Sequence, residues 1–311
     1  MGCFHPLTAY KSLTKKDNGK SNISFKKLVG HVSTAIQLPC GQCTGCRLER
    51  SRQWAIRCQH ETSMHEDNCF ITLTYDNKNL PADGSLDKIH YQKFMKRLRK
   101  KFPSQKIRFY HCGEYGDQLG RPHYHALLFG FDFKDKTYHK KTKIGDILYT
   151  SEILDKLWGK GHCYIGSATF ESAAYVARYI MKKINGEQKF DHYNEIDEST
   201  GEIICSLEPE YTTMSRRPGI GKKWWDKYKQ DVYPSEEVII KKGGKNIAIP
   251  PPKYYENQYE IDNPVQHQQM KQRREKAAKE NASENTPERL LVKETIANKR
   301  LNQLPRELHE N

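Results

Sequence analysis

Pro122-His123-Tyr124-His125-Ala126-Leu127-Leu128-Phe129-Gly130 puts two imidazoles two residues apart at the head of an apolar run. The run reads as a β-strand closed by a glycine. Side chains alternate across a strand, so His123 and His125 project from one face. Two neutral imidazoles side by side can hold a divalent metal if further ligands lie nearby. The plainer reading is a half-exposed strand whose histidines face water. The flanking sequence decides between them.

Lys106 to Tyr115 reads as the preceding strand, with Ile107-Arg108-Phe109-Tyr110-His111-Cys112 at its centre. Gly113-Glu114-Tyr115-Gly116 then leads into the turn-rich tetrapeptide Asp117-Gln118-Leu119-Gly120. With that tetrapeptide as a hairpin loop, Glu114 falls opposite His123, and directly opposed residues share a sheet face. The site then holds two imidazoles and one carboxylate, with positions open to substrate or water. Asp117, Gln118 or His111 takes the third place under another register, because a one-residue slip exchanges the faces.

Outward from the hairpin, Cys69-Phe70-Ile71-Thr72-Leu73-Thr74-Tyr75 reads as a strand buried on both faces. Leu86 to Phe102 reads as an amphipathic helix with Ile89, Tyr91 or Phe94, Leu98 and Phe102 on its apolar side. Its remainder is strongly basic (Lys93, Lys96, Arg97, Arg99, Lys100 and Lys101), and Pro103 stops it. Phe131 to Gly145 is polar and Lys-rich and reads as a loop. Thr150-Ser151 caps a short helix from Glu152 to Trp158, and His162 to Gly166 is a short strand.

The chain has 311 residues and a formal net charge of +14. That charge points to a polyanionic partner, first of all nucleic acid. No run of eighteen apolar residues occurs, so no transmembrane helix is expected. Met1-Gly2-Cys3-Phe4-His5-Pro6 lacks an apolar signal core, so no export is expected. Nine cysteines without such a signal read as thiols or metal ligands sooner than disulfides.

Three of those cysteines stand in Pro39-Cys40-Gly41-Gln42-Cys43-Thr44-Gly45-Cys46. Two consecutive CxxC spacings suit a tetrahedral structural zinc. Cys40, Cys43 and Cys46 are three ligands, and Cys3 or His5 supplies the fourth. Without metal the segment is a thiol-bearing turn. Arg47 to about Glu61 follows as a helix carrying Arg47, Arg50, Arg52 and Arg57.

Glu171 to about Ile184 has helical periodicity. Ala173, Val176, Ala177, Ile180 and Ile184 fall on one side of the wheel. Tyr175 and Tyr179 are spaced i,i+4 and stack on the other side, flanked by Lys182 and Lys183. Paired tyrosines at helical spacing are usually core aromatics. Here a coherent apolar side exists without them, so they are expected to face a cleft or solvent. A phenol in that position can attack a phosphate, although its ordinary pKa near 10 makes it a weak nucleophile without help.

Together these stretches resemble the HUH-endonuclease replication initiators of small single-stranded DNA phages, the Microviridae, in particular the gokushovirus-like group. The likeness rests on Phe70-Ile71-Thr72-Leu73-Thr74-Tyr75, on Gly113-Glu114-Tyr115-Gly116 with Gly120-Arg121-Pro122-His123-Tyr124-His125, and on Tyr175-Val176-Ala177-Arg178-Tyr179-Ile180-Met181-Lys182-Lys183. The cysteine cluster with its Arg-rich helix and Met214 to Gly221 also match. The likeness spans about residues 1–230 in order.

The resemblance implies a ferredoxin-like HUH endonuclease core, an antiparallel sheet with packed helices and the histidines on a central strand. With the N-terminal cysteine-cluster segment and a charged C-terminal tail of weak helical periodicity, the fold class is α+β. It implies rolling-circle initiation. One tyrosine attacks a phosphodiester at the origin, keeps the DNA 5′ end as a phosphotyrosine and frees a 3′ hydroxyl. The second tyrosine cuts after one round so that the ends rejoin. His123, His125 and Glu114 would hold Mg²⁺ or Mn²⁺ to polarise the phosphate. Lys182, or Lys183 in its place, would stabilise developing charge.

The implied partners are single-stranded origin DNA and a host helicase and polymerase, in the cytoplasm of the bacterial host. No membrane and no small-molecule cofactor are expected. No GxxxxGK[ST] phosphate-binding loop is present, so no helicase motor is expected in the chain itself.

The chain divides on this reading into an N-terminal cysteine cluster and basic helix (1–66), the core (67–190), a basic and aromatic accessory region (191–255) and a charged, mobile tail (256–311). In the accessory region, Arg216, Arg217, Lys222, Lys223 and Trp224 mix cations and aromatics as single-stranded DNA binding requires. A loop with core tryptophans is the alternative. Two other functions compete. One is a non-catalytic, zinc-containing nucleic-acid-binding protein. The other is a two-histidine, one-carboxylate iron oxygenase, which leaves the paired tyrosines and the basic charge unexplained.

Overall fold

The computed structural model describes residues 2–15, 21–27, 35–116, 119–142, 145–178, 188–197, 199–242 and 245–302. Tyr179, Lys182, Lys183, Asp117 and Gln118 lie outside the described residues. The described chain divides into two compact units, Met1–Arg50 with Pro264–Pro305, and Ser51–Asn263.

In the first unit, β1 (Leu7–Lys15), β2 (Ser21–Ser24) and β3 (Ile36–Leu38) form an antiparallel sheet in the order β2-β1-β3. Helix α1 (Thr44–Thr62) starts in this unit and contains the unit boundary.

The second unit is built on a seven-stranded antiparallel sheet. Its members in chain order include β4 (Asn68–Leu73), then helix α2 (Lys88–Lys101), β5 (Arg108–Tyr115) and β6 (Pro122–Phe129). There follow β7 (Thr137–Lys141), β8 (Ile147–Thr150), helix α3 (Glu152–Trp158), β9 (Cys163–Gly166) and helix α4 (Phe170–Arg178). Helix α5 (Gln188–Tyr193) and the two-stranded β10 (Asn194–Ile196) and β11 (Ile203–Ser206) precede β12 (Tyr211–Met214). The sheet order is β12-β5-β6-β4-β9-β8-β7. Helix α6 (Lys222–Val232), the hairpin of β13 (Val238–Lys242) and β14 (Lys245–Ile249), and helix α7 (Lys253–Asp262) complete the unit.

The α+β class and the antiparallel sheet are as expected. The strand at 69–75 is buried on both faces because helices cover both. Cys69, Ile71 and Leu73 pack with Tyr91, Phe94, Met95 and Leu98 of α2 and with Leu154, Leu157 and Trp158 of α3. Phe70 packs on the other face with Ala55 and Cys58 of α1 and Ala173, Val176 and Ala177 of α4. The two-residue period sends alternate side chains of one strand to different cores. Ser151 caps α3, its hydroxyl accepting from the Leu154 N–H at 3.1 Å.

Three readings differ from expectation. The first is Ile89, expected on the apolar side of α2, which is 54% exposed because it lies on the helix side away from Tyr91, Phe94, Met95 and Leu98. Residues 131–145, read as a loop, contain β7, which pairs with β8 at the sheet edge. Its side chains are mostly exposed, so burial writes no apolar alternation into it. The C-terminal tail is helical as expected, as α8 (Pro264–Glu280) and α9 (Pro287–Asn302), but these helices fold in the first unit and do not stand as a free tail. There Ala297 packs with Phe4 and Cys43.

A buried ion pair ties the accessory loop to the core of the second unit. The Arg108 Nε donates to Glu61 Oε1 at 2.5 Å, with both side chains almost fully buried. Glu61 Oε2 also accepts the Gly221 N–H at 2.7 Å, and the Arg108 guanidinium donates to the Pro218 carbonyl at 2.8 Å. Gly221 sits at φ +78°, where an added Cβ would lie 2.5 Å from the Tyr255 hydroxyl. Glu61→Ala leaves a buried guanidinium without its carboxylate. The expected loss is about 3–5 kcal/mol, read as a lowered midpoint in urea unfolding. An unchanged midpoint would remove this pair from the account of the fold.

Candidate active site

The β5–β6 hairpin places Glu114 opposite His123 and Cys112 opposite His125. Alternation puts Cys112, Glu114, His123 and His125 on the sheet face that α1 and α4 cover. Glu114 is fully buried and His125 is 2% exposed, while His123 is half-buried. Glu114 Oε1 lies 2.8 Å from His123 Nε2 and 2.8 Å from His125 Nε2. The three ligand atoms fall within 4.8 Å of one another, so the group could hold a metal ion.

The ring nitrogens are oriented from behind. His123 Nδ1 lies 3.1 Å from the Arg121 carbonyl, which only accepts, so that nitrogen carries the proton. In a neutral ring the Nε2 lone pair then points at a carboxylate oxygen. Two acceptors 2.8 Å apart require a proton or a cation between them, and the donor set is one that divalent cations accept. His125 Nδ1 is paired at 2.9 Å with the hydroxyl of Thr72, its neighbour across β4. Burial alone would raise the Glu114 pKa. The hydrogen bonds and charge of His123 and His125 override it and hold the carboxyl down to about 2.

Thr72 was missed in the sequence. Its signal was a hydroxyl in an otherwise apolar buried strand, in register with His125. Outer partners of this kind set ring orientation, and their loss typically costs about 10–100-fold in metal affinity. Thr72→Val is therefore expected to weaken Mn²⁺ binding by about that factor, with Thr72→Ser restoring it, measured by titration calorimetry. Equal affinity in the valine variant would show that Thr72 does not position His125.

His111, an alternative third ligand, points elsewhere. It pairs with Ala126 in the sheet and stacks on Tyr91 with ring centroids 3.4 Å apart. Burial pushes its pKa well below the usual range.

Tyr175 is 7% exposed and joins the same core as Ala173, Val176 and Ala177. The expectation that it faces a cleft or solvent on a side of its own is corrected. The helix is buried on more than one side: the Ser51 hydroxyl of α1 donates to the Ala174 carbonyl, and the Tyr175 ring meets the sheet. That ring stands edge-on to His125 at 5.2 Å and to Phe70 at 6.3 Å between centroids. The wheel set Tyr175 apart from the small apolar residues, but the structure buries it in the same core with them, because the helix packs on more than one side.

The accessory residues are not at this site. Met214 pairs with Tyr110, and the Ser215 N–H donates to the Phe109 carbonyl. Phe109 is five residues from Glu114 along β5, or about 17 Å. Arg216, Arg217 and Lys223 are exposed, Lys222 pairs with Asp226, and Trp224 stacks on His60 at 3.5 Å.

A second possible metal group lies in the first unit. The Sγ atoms of Cys3, Cys40, Cys43 and Cys46 fall within 4.8 Å of one another. Cys3 therefore takes the fourth position, and His5 instead pairs with Glu294 at 2.8 Å. Backbone N–H groups point at sulfur: Cys40 to Cys3 at 3.2 Å, Cys43 to Cys40 at 3.3 Å and Phe4 to Cys43 at 3.3 Å. Burial raises the Cys43 thiol, but the Phe4 and Cys46 N–H groups and the neighbouring thiols outweigh it and bring it down to about 6. Burial, with the neighbouring Cys3 and Cys43, pushes the Cys46 thiol well up, and burial also raises Cys3, so without a cation the donors favour a thiolate at Cys43.

Among the described residues no helix is long and apolar enough to cross a membrane. The family described as "Replication-associated protein ORF2/G2P" matches residues 68–184, which include the hairpin and the tyrosine helix. The chain is 35% identical to "Replication-associated protein VP4" of Bdellovibrio phage phiMH2K over 271 residues, 85% of this chain and 79% of that protein. It is 33% identical to "Replication-associated protein ORF2" of Spiroplasma virus 4 over 296 residues, 90% and 87% of the two chains. To "Replication-associated protein ORF4" of Chlamydia phage 1 it is 39% identical over 156 residues, 48% and 39%. No solved structure matches. With near full-length similarity to two such proteins, the chain belongs to the phage replication-associated protein family, the Microviridae-like rolling-circle initiators that its motifs resemble.

Proposed function

We propose that this protein initiates phage DNA replication by nicking single-stranded origin DNA through a tyrosine nucleophile. The observation that carries the reading is the edge contact of Tyr175 with His125, a member of the buried Glu114–His123–His125 group. The relatives' printed names, all replication-associated proteins of phages, support the same role.

The phenol oxygen of Tyr175 or Tyr179 attacks the phosphorus. A new O–P bond forms, the bond from phosphorus to O3′ breaks, and the 3′ oxygen leaves as a hydroxyl. The 5′ end stays on the protein as a phosphotyrosine. The other tyrosine makes the second cut, and attack by the freed 3′ hydroxyl on the first phosphotyrosine rejoins the strand. His123, His125 and Glu114 would hold Mg²⁺ or Mn²⁺, which would supply Lewis-acid polarisation of the phosphate. Thr72 and the Arg121 carbonyl keep the two rings aimed at Glu114. Lys182 or Lys183 stabilises the charge that builds on the phosphate. Cys3, Cys40, Cys43 and Cys46 hold a structural Zn²⁺. The protein works with a helicase and polymerase of the bacterial host, in its cytoplasm.

The test is a 3′-labelled origin oligonucleotide incubated with Mn²⁺. The wild-type chain is expected to retain label through SDS electrophoresis, and the Y175F/Y179F double variant to lose it. Label retained by the double variant would refute the nucleophile assignment.

A further inference from the structure

We infer that helix α2 is a second DNA-contacting surface, which grips the phosphate backbone of duplex DNA on the side of the sheet away from the candidate active site. The inference rests on the proposed action on DNA.

Helix α2, Lys-Ile-His-Tyr-Gln-Lys-Phe-Met-Lys-Arg-Leu-Arg-Lys-Lys, has seven cations and no carboxylate. Tyr91, Phe94, Met95 and Leu98 are its buried side. Lys93, Lys96 and Lys100, spaced i, i+3, i+7, fall on the opposite line, and Lys101 flanks them. All four are exposed.

Neighbouring cations have structural work. Lys88 pairs with Glu208 at 2.9 Å, Arg97 donates to the Leu157 and Trp158 carbonyls, and Arg99 donates to the Ile107 carbonyl. Among the described residues no carboxylate lies within ion-pair distance of Lys93, Lys96, Lys100 or Lys101. Lys134, Lys136, Lys156, Lys222 and Lys229 each have one. An ordinary solvated helix face interleaves signs. The helix dipole accounts for cations in the last turn only, so it leaves Lys93 and Lys96 unexplained.

The kind of DNA follows from what the face lacks. Single-strand binding surfaces interleave cations with exposed aromatics for base stacking. Here the aromatics Tyr91 and Phe94 point into the core. A line of lysines alone reads phosphate, not bases. From Lys93 to Lys100 the line runs about 10 Å, a length over which a duplex presents roughly six phosphate charges.

The position is separate from the chemistry. α2 packs with Cys69, Ile71 and Leu73, whereas Tyr175 packs with Phe70 on the other face. Duplex held on α2 therefore does not compete with a strand at Tyr175. It would keep flanking, unopened DNA attached while the nicked strand is processed.

The test uses the full chain and fluorescence anisotropy with a random-sequence duplex of about two turns. K93Q/K96Q/K100Q/K101Q is compared with K271Q/K276Q/K279Q/K299Q, which removes the same charge from exposed positions on α8 and α9. The α2 variant is expected to lose at least about tenfold in duplex affinity near 0.1 M salt. Its slope of log affinity against log salt should become shallower by about 3.6, about 0.9 for each of the four phosphates no longer neutralised. The control should change less than about twofold, with its slope intact. If the fourfold variant melts early, K96Q and K100Q alone retain the test, each lowering the slope by about 0.9. A wild-type slope in the α2 variants overturns the inference, as does an equal loss in the control. Adduct formation on a short single strand should survive in the α2 variant. Should the wild type form no adduct at all, the proposed nicking activity falls while the duplex result stands or fails by itself.

Discussion

Glu114→Gln is expected to lower the rate of covalent adduct formation by about 10³-fold and to abolish measurable Mn²⁺ binding at the histidine site. The glutamine keeps the volume of a fully buried side chain, so the hairpin register and both rings stay in place. What disappears is the anionic oxygen that lies 2.8 Å from both Nε2 atoms. Hard divalent cations take oxygen ligands and depend on their charge. A bound cation contributes several kcal/mol of transition-state stabilisation in phosphate chemistry, and about 1.4 kcal/mol is a factor of ten in rate. With its carboxyl held at about 2 by His123 and His125, Glu114 is ionised throughout the working range of pH, so a neutral substitute is a full loss of charge. Calorimetry with Mn²⁺ and single-turnover adduct assays read the two effects separately. Binding and rate at wild-type levels in the variant would remove Glu114 from the ligand set.

If the cysteine site holds zinc as proposed, Cys43→Ser is expected to empty it and to unfold the segment around the four sulfurs. Around the four sulfurs the buried apolar set is small, namely Phe4, Cys43 and Ala297 with the remaining cysteines against them. A core of that size does not order such a segment without a cross-link. Structural zinc supplies apparent binding energies of about 10–16 kcal/mol, which count as folding energy because the unfolded chain has no site. Serine keeps the size but offers a hydroxyl that zinc binds poorly beside three thiolates. Elemental analysis should show one zinc in the wild type and none in the variant, and far-UV circular dichroism should show an early melting step. A zinc-free wild type with the same melting curve as the variant would contradict the structural role.

The hairpin was legible because two independent signals agreed there, the two-residue period of His123 and His125 and the turn chemistry of 117–120, and the register follows from them. Glu114 opposite His123 comes out of counting residues around a turn. The fourth cysteine was legible for a similar reason, since tetrahedral zinc needs four ligands and few candidates preceded Cys40. Tyr175 was half legible. Periodicity separated it from Ala173, Val176 and Ala177, but one helix's wheel cannot tell a solvent face from a face packed on a sheet. Thr72, Glu61 and Arg108 carried no motif. Their roles arise from strand pairing and from burial of a charge pair across long separations, and neither leaves a local pattern. The C-terminal helices read as tail because their apolar contacts with Phe4 and Cys43 are sparse and distant in sequence.

The central claim is that a tyrosine beside the buried histidine–carboxylate group becomes covalently joined to DNA. The most direct measurement is mass spectrometry of the peptide recovered from the metal-dependent adduct after protease and nuclease digestion. The account predicts a 5′-phosphonucleotide on Tyr175 or Tyr179, absent without divalent metal. A modified residue elsewhere in the chain, or cleavage of the origin strand with no covalent peptide, would contradict it.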